Sequence, residues 1–221
     1  MVILLNRIII STLLIIIIIY FIYKNNNQFY KNIKEVKKPY KLDTLVNKNN
    51  RLSKYYRPYD LTKIDESYSN KNKYLRRDAC KHFELLSKDA KSKGFRIIAV
   101  STYRSYYYQK ELFNHYVKTI GLKKALKASA KEGHSEHQLG LSVDVEGSNL
   151  DYNKFEESKE FKWMVDNAYK YGFILRYPKG KEYITGFKYE PWHFRYVGVK
   201  VAKFIHDKKI TLEEYKKTRN I

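Results

Sequence analysis

From Ile8 to Tyr23 no residue is charged, and only Ser11 and Thr12 interrupt the apolar run. Sixteen helical residues span about 24 Å, a little short of a hydrocarbon core of about 30 Å. Val2 to Leu5 lengthen the span if Arg7 snorkels, and Tyr20 and Tyr23 suit the interface. The pattern predicts one N-terminal transmembrane helix within residues 1–24. A cleaved signal peptide is the competing reading, but the Lys24-Asn25-Asn26-Asn27 flank offers no small-x-small cleavage site. No cysteine follows the run, which excludes a lipoprotein anchor. An uncleaved signal-anchor is favoured.

Residues 25–60 are polar, basic and without apolar periodicity, and read as a stalk extended around Pro39 and Pro58. Organised structure is expected over 61–221. Leu75, Ala79, Phe83 and Leu86 recur at helical spacing, with Gly94 as a stop. Phe95 to Ser101 reads as a buried strand. Ser105 is placed to cap a helix running to about Ile120, and Leu122 to Ala130 forms another. "LSVDV" alternates as a strand does. Ser158 to Tyr171 reads as a helix with Phe161, Met164, Val165 and Ala168 on one face and Gly172 behind it. "FILRY" and "WHFRYVG" are further short strands, and Thr211 with Glu214 makes a capping box. Helices with scattered short strands, and no βαβ rhythm, predict an α+β domain.

Composition changes this picture in three places. The chain has 221 residues, room for one sizeable core beside an anchor. Its single cysteine, Cys80, excludes a disulfide framework and a cysteine-rich zinc site. The net charge of +21 is spread along the chain, with no arginine-rich block and no nucleic-acid motif, so no nucleic-acid partner is expected and an anionic cell envelope suits the charge better. The lysine-rich flank after Tyr23 argues weakly, by the positive-inside rule, for a cytoplasmic domain.

The candidate chemistry lies in "GHSEHQLGLSVD", Gly133 to Asp144. Gly133 and Gly140 bracket a loop, and the strand after it puts Ser142 and Asp144 on the face opposite Leu141, Val143 and Val145. A loop folding back over that face brings His137 to Asp144, and imidazole and carboxylate are both zinc ligands. Of the six histidines, His82, His115 and His206 lie in expected helices as ordinary residues. His134 would block the water position as a further ligand, so it is read as flanking the site or as structural. His193 supplies a third ligand from "YEPWH", where Pro191 disfavours a regular helix. A bend at Glu190-Pro191 sets Glu190 just beyond the metal, where a general base for a water belongs.

"SEHQLGLSVD" fits S-x-H-x-x-G-x-x-x-D and "EPWH" fits E-x-x-H. With "TYRS" and "WMVDNAYKYGFILRYPKGKEYITGFKYEPWHFRYVG", residues 96–198 closely resemble the VanY-type D-alanyl-D-alanine carboxypeptidases, a zinc peptidase group that includes D,D-dipeptidases and L,D-carboxypeptidases. The resemblance implies a small central antiparallel sheet flanked by helices, as in Hedgehog-like D,D-peptidases. It implies Zn2+ held by His137, Asp144 and His193, Glu190 as catalytic base, Arg104 stabilising the oxyanion, and Ser135 and Gln109 holding the substrate's terminal carboxylate. Thr102 and Ser142 depart from the common glycine and alanine of the family without removing a ligand. The implied reaction removes the C-terminal D-alanine from peptidoglycan stem peptides. An L,D-carboxypeptidase or endopeptidase of the same group remains an alternative, as does a wall-binding module without turnover. The substrate implies that the catalytic domain of this single-pass membrane protein, expected to be a monomer, lies outside the cytoplasm, against the charge signal.

Overall fold

The computed structural model describes residues 7, 10, 12–16, 29–148 and 152–219. Its centre is a four-stranded antiparallel sheet of order β5-β6-β8-β7, built from β5 (Ile98–Ser101), β6 (Ser142–Glu146), β7 (Phe173–Leu175) and β8 (His193–Tyr196). Before it come β1 (Lys34–Glu35) paired in parallel with β2 (Asn50–Arg51), and the antiparallel pair β3 (Leu61–Lys63) and β4 (Tyr74–Arg76).

One face of the sheet is apolar. Val143 of β6 lies opposite Phe194 of β8, and both join the core with Phe173. The helix Arg77–Ser92 closes over this core with Ala79, Cys80, Phe83, Leu86 and Ala90, which its 3.6-residue period brings to one side. The helix Tyr106–Ile120 is capped by Ser105, whose hydroxyl accepts from Tyr108 N at 3.1 Å, and Leu122–Ala128 follows directly. Ser158 caps the helix Lys159–Asn167, which tightens to a 3-10 turn over Ala168–Tyr171 before the left-handed Gly172. Val165, assigned by its spacing to the buried face, is 39 % exposed. The helices Val199–Lys208 and Leu212–Thr218 close a second, smaller core, the last opening on the Thr211–Glu214 capping box.

Two expectations are corrected. Among the described residues no helix is long and apolar enough to cross a membrane, so the transmembrane helix expected in residues 1–24 is not part of the fold described. Most of that stretch lies outside the described residues. The second correction concerns residues 29–60, which are wrapped onto the domain rather than extended from it as a stalk. Val46 and Leu52 are fully buried in the main core, and Leu42 packs against it. Backbone carbonyls carry the remaining attachment: Leu42 O and Thr44 O accept from Arg195 Nη2 at 2.8 and 2.9 Å, and Tyr40 O accepts from Arg76 Nη1 at 2.8 Å. Three apolar residues without a period leave no trace in a hydrophobicity pattern, and carbonyl acceptors leave none in any sequence.

Candidate metal centre

The second face of the sheet builds the site. In the β6–β8 register Asp144 lies directly across from His193, and in the β5–β6 register Ser101 lies on its other side, past an irregularity between Ala99 and Ser101. Directly opposed side chains share a face at about 5 Å, so the register alone sets the Asp144 carboxylate against the His193 ring. His193 Nδ1 is 2.8 Å from Asp144 Oδ1. His137 arrives from a 3-10 turn, Glu136–Leu139, where a loop was expected; Ser135 caps it and the left-handed Gly140 ends it. Its Nδ1 meets Thr102 O at 2.7 Å, which fixes the proton there and turns Nε2 to Asp144 Oδ2 at 3.3 Å.

The ligand atoms of His137, Asp144 and His193 all lie within 4.8 Å of one another, and all three residues are buried. Two imidazole nitrogens and a carboxylate oxygen, converging without a fourth protein ligand among the described residues, fit a zinc ion with a position left for water or substrate. His193 Nε2 is buried without a hydrogen bond and faces Glu136 Oε2 at 3.7 Å, the place of the outer carboxylate that orients a metal-bound histidine. Burial and the nearby Arg104 hold the His137 imidazole down to about 4, leaving it neutral. Burial opposes the protonated form of His193, but the hydrogen bond to Asp144 and the facing Glu136 carboxylate outweigh it and push the ring up to about 9.

Glu190 occupies the turn before β8. Its N–H donates to Tyr177 O at 3.2 Å and its own carbonyl accepts from His193 N at 3.2 Å, with Pro191 between. This turn holds Glu190 Oε2 3.9 Å from His193 Nδ1. Burial pushes the carboxyl up to about 7, the range a general base at neutral pH requires. Arg104 stands on the other side, donating to Asp144 Oδ2 at 2.9 Å and to Ser101 Oγ at 2.7 and 3.0 Å. Ser135 and Gln109 line the same cavity of about 340 Å³, together with Leu112, Tyr116, Tyr177, Phe187 and Trp192. Ser135 Oγ accepts from His137 N, and both amide donors of Gln109 serve Ser129 Oγ and Ala130 O. His134 turns away, its Nδ1 on Asn47 O at 2.9 Å and its ring edge-on to Tyr30.

Sequence reasoning missed what lies beneath. Glu136 Oε1 accepts from Arg176 Nε at 2.8 Å and Arg195 Nη1 at 2.7 Å, and Arg176 is paired in turn with Glu213 of the last helix. Burial disfavours the Glu136 carboxylate, yet the two guanidinium groups hold it well below the usual range. Two acids and two arginines balance, which is how a fully enclosed quartet of charges is tolerated. The available signal was an arginine next to or within each of two apolar runs, Arg176 directly after β7 in "FILRY" and Arg195 within β8 in "HFRY", since a buried arginine demands an acid.

Residues 72–199 match the family described as "VanY: D-alanyl-D-alanine carboxypeptidase". A putative carboxypeptidase of Bacillus subtilis (strain 168), YodJ, is 43% identical over 205 residues, covering 86% of this chain and 74% of that protein. The solved structure of an L,D-carboxypeptidase, LdcB, superposes with a TM-score of 0.79 at 43% identity, over 85% of this chain and 91% of that one. A vancomycin-resistance D,D-pentapeptidase, VanY, solved with Zn(II), superposes with a TM-score of 0.68 at 31% identity, over 79% and 98%.

Proposed function

Because the chain belongs to the VanY family of D-alanyl-D-alanine carboxypeptidases and is a peptidase of that type, we propose that it removes the C-terminal D-alanine from peptidoglycan stem pentapeptides, with zinc as its metal. The observation that carries this reading is the convergence of His137, Asp144 and His193 at the base of a cavity, with Glu190 beside them and Arg104 opposite. Zinc held by these three residues supplies Lewis acidity, polarising a carbonyl and making water nucleophilic near neutral pH. Glu190 takes a proton from the attacking water on its carboxylate and returns it to the departing amine. The Arg104 guanidinium meets the negative charge that develops on the carbonyl oxygen. Ser135, with its hydroxyl proton uncommitted, faces the substrate's terminal carboxylate. Gln109, expected on the same carboxylate, instead commits its amide hydrogens to Ser129 Oγ and Ala130 O and braces the wall beside it.

A second reading, L,D-cleavage of tetrapeptides, is favoured by the higher identity to LdcB, 43% against 31% for the D,D-pentapeptidase. Incubating the zinc-loaded protein with penta- and tetrapeptide stems separates the two. Loss of D-alanine from the pentapeptide, abolished by chelator and restored by zinc, is the expected result. Release from the tetrapeptide alone supports the L,D reading, and zinc binding with no release from either leaves a wall-binding module. Such a substrate lies outside the cytoplasmic membrane, so the domain acts there, and protection of the domain from protease on intact cells would count against this.

A further inference from the structure

Lys48 is the only lysine among the described residues that is buried, at 4 % exposure. Its ammonium donates to Leu126 O at 2.7 Å and to Gly186 O at 2.5 Å, and it lies 4.5 Å from the centre of the Phe187 ring. The rings of Phe29 and Tyr30 complete the enclosure at 5.4 and 5.6 Å. No carboxylate pairs with it among the described residues, although a buried ammonium without an acid is costly. The compensation comes from two helix ends. Leu126 is in the last turn of Leu122–Ala128, and Gly186 follows Glu182–Thr185 in the left-handed conformation that ends a helix. Carbonyls at helix C-termini lack intrahelical donors and carry partial negative charge, so one cation satisfies two such ends together.

Those two ends lead into two separate groups of residues that line the cavity over the metal centre. Leu122–Ala128 runs into Ala128, Ser129 and Ala130, which Gln109 holds, while Gly186 leads into Phe187, which packs on Tyr177 beside His193. We propose that Lys48 is a positioning residue that sets the width of the substrate cleft and thereby its choice among stem peptides, which rests on reading the cavity as a stem-peptide site. Gln109 ties the Ser129–Ala130 wall from within the cavity, and Lys48 ties it across to Phe187 from behind. Burial pushes the Lys48 ammonium down to about 8, so it is still charged at neutral pH.

The test compares the zinc-loaded protein with Lys48→Met, which keeps the length and apolar stem and removes the donors, and with Lys48→Gln, whose shorter amide reaches one carbonyl. Expected for Lys48→Met is a rise in KM of about tenfold for the preferred stem peptide with kcat within about twofold, the pattern of lost ground-state binding. The ratio of penta- to tetrapeptide turnover falls toward one, zinc affinity measured against a competing chelator is unchanged, and Lys48→Gln lies between. If Lys48→Met does not fold, Lys48→Gln carries the same comparison. Unchanged KM and unchanged peptide preference in an active, zinc-replete variant overturn the proposal, as does a parallel loss of kcat and zinc. A wild-type protein that cleaves neither peptide overturns instead the reading on which it rests.

Discussion

Glu190 shows how far a single carboxyl can be shifted by its surroundings. Burial raises it to about 7, against the opposing pull of His193. A bound dication adds to that pull, so in the zinc enzyme it titrates below about 7. The base works deprotonated, so kcat/KM rises with pH through that titration, and Glu190→Gln removes the activity at every pH while zinc stays bound. A pH profile without an acidic limb would contradict this assignment. Arg104→Ala, by removing the donor opposite, lowers kcat by about 10²–10³ with zinc retained, measurable by steady-state turnover beside metal analysis. At this scale the candidate ligands were legible because histidine and aspartate declare their chemistry by type. Glu136 did not, since its meaning comes from Arg176 and Arg195, 40 and 59 residues away.

Between elements the decisive quantity is register. The helices and their caps could be read from spacing because Ser105, Ser158 and Thr211 act within three residues of themselves. Strand β6 was read correctly as alternating, but alternation suggests one wet face, and all five of its residues are buried. Its polar face is covered by the metal centre and by the Glu136 quartet, which no local pattern reveals. Ser142 takes part in that cover, donating to Glu136 Oε2 at 3.3 Å. Glu136→Gln tests the coupling between elements. It leaves Arg176 with Glu213 and takes from Arg195 its paired acid, so that its carbonyl acceptors remain, and breaking such a network costs about 3–5 kcal/mol. It also weakens the hold on His193, for which outer-shell changes typically cost about 10–100-fold in metal affinity. Thermal melting with and without zinc, together with chelator competition, reads both effects. A variant with wild-type melting and zinc affinity would show that the quartet does not support the centre.

For the whole molecule, the boundary of the domain is where the sequence misleads most. Polar, lysine-rich composition between residues 25 and 60 argues for a tether, yet the structure uses residues 29–60 as a strap. Val46 and Leu52 fill the core, and burying side chains of this size contributes about 2 kcal/mol each. Removing the strap also strips Arg195 Nη2 of both its carbonyl acceptors, leaving part of a buried guanidinium unsatisfied beside the Glu136 quartet. Lys48 goes with it, and so does the tie between the cleft walls. A protein beginning at residue 29 is therefore expected to melt cooperatively, bind zinc and turn over substrate as the full chain does. One beginning at residue 61, the boundary that composition alone suggests, is expected to lose cooperative melting by circular dichroism and to bind zinc weakly. The two truncations share every proposed ligand, together with Glu190 and Arg104. A fully folded, zinc-binding protein beginning at residue 61 would mean that the domain stands without its strap and that its contacts to Arg195 are dispensable.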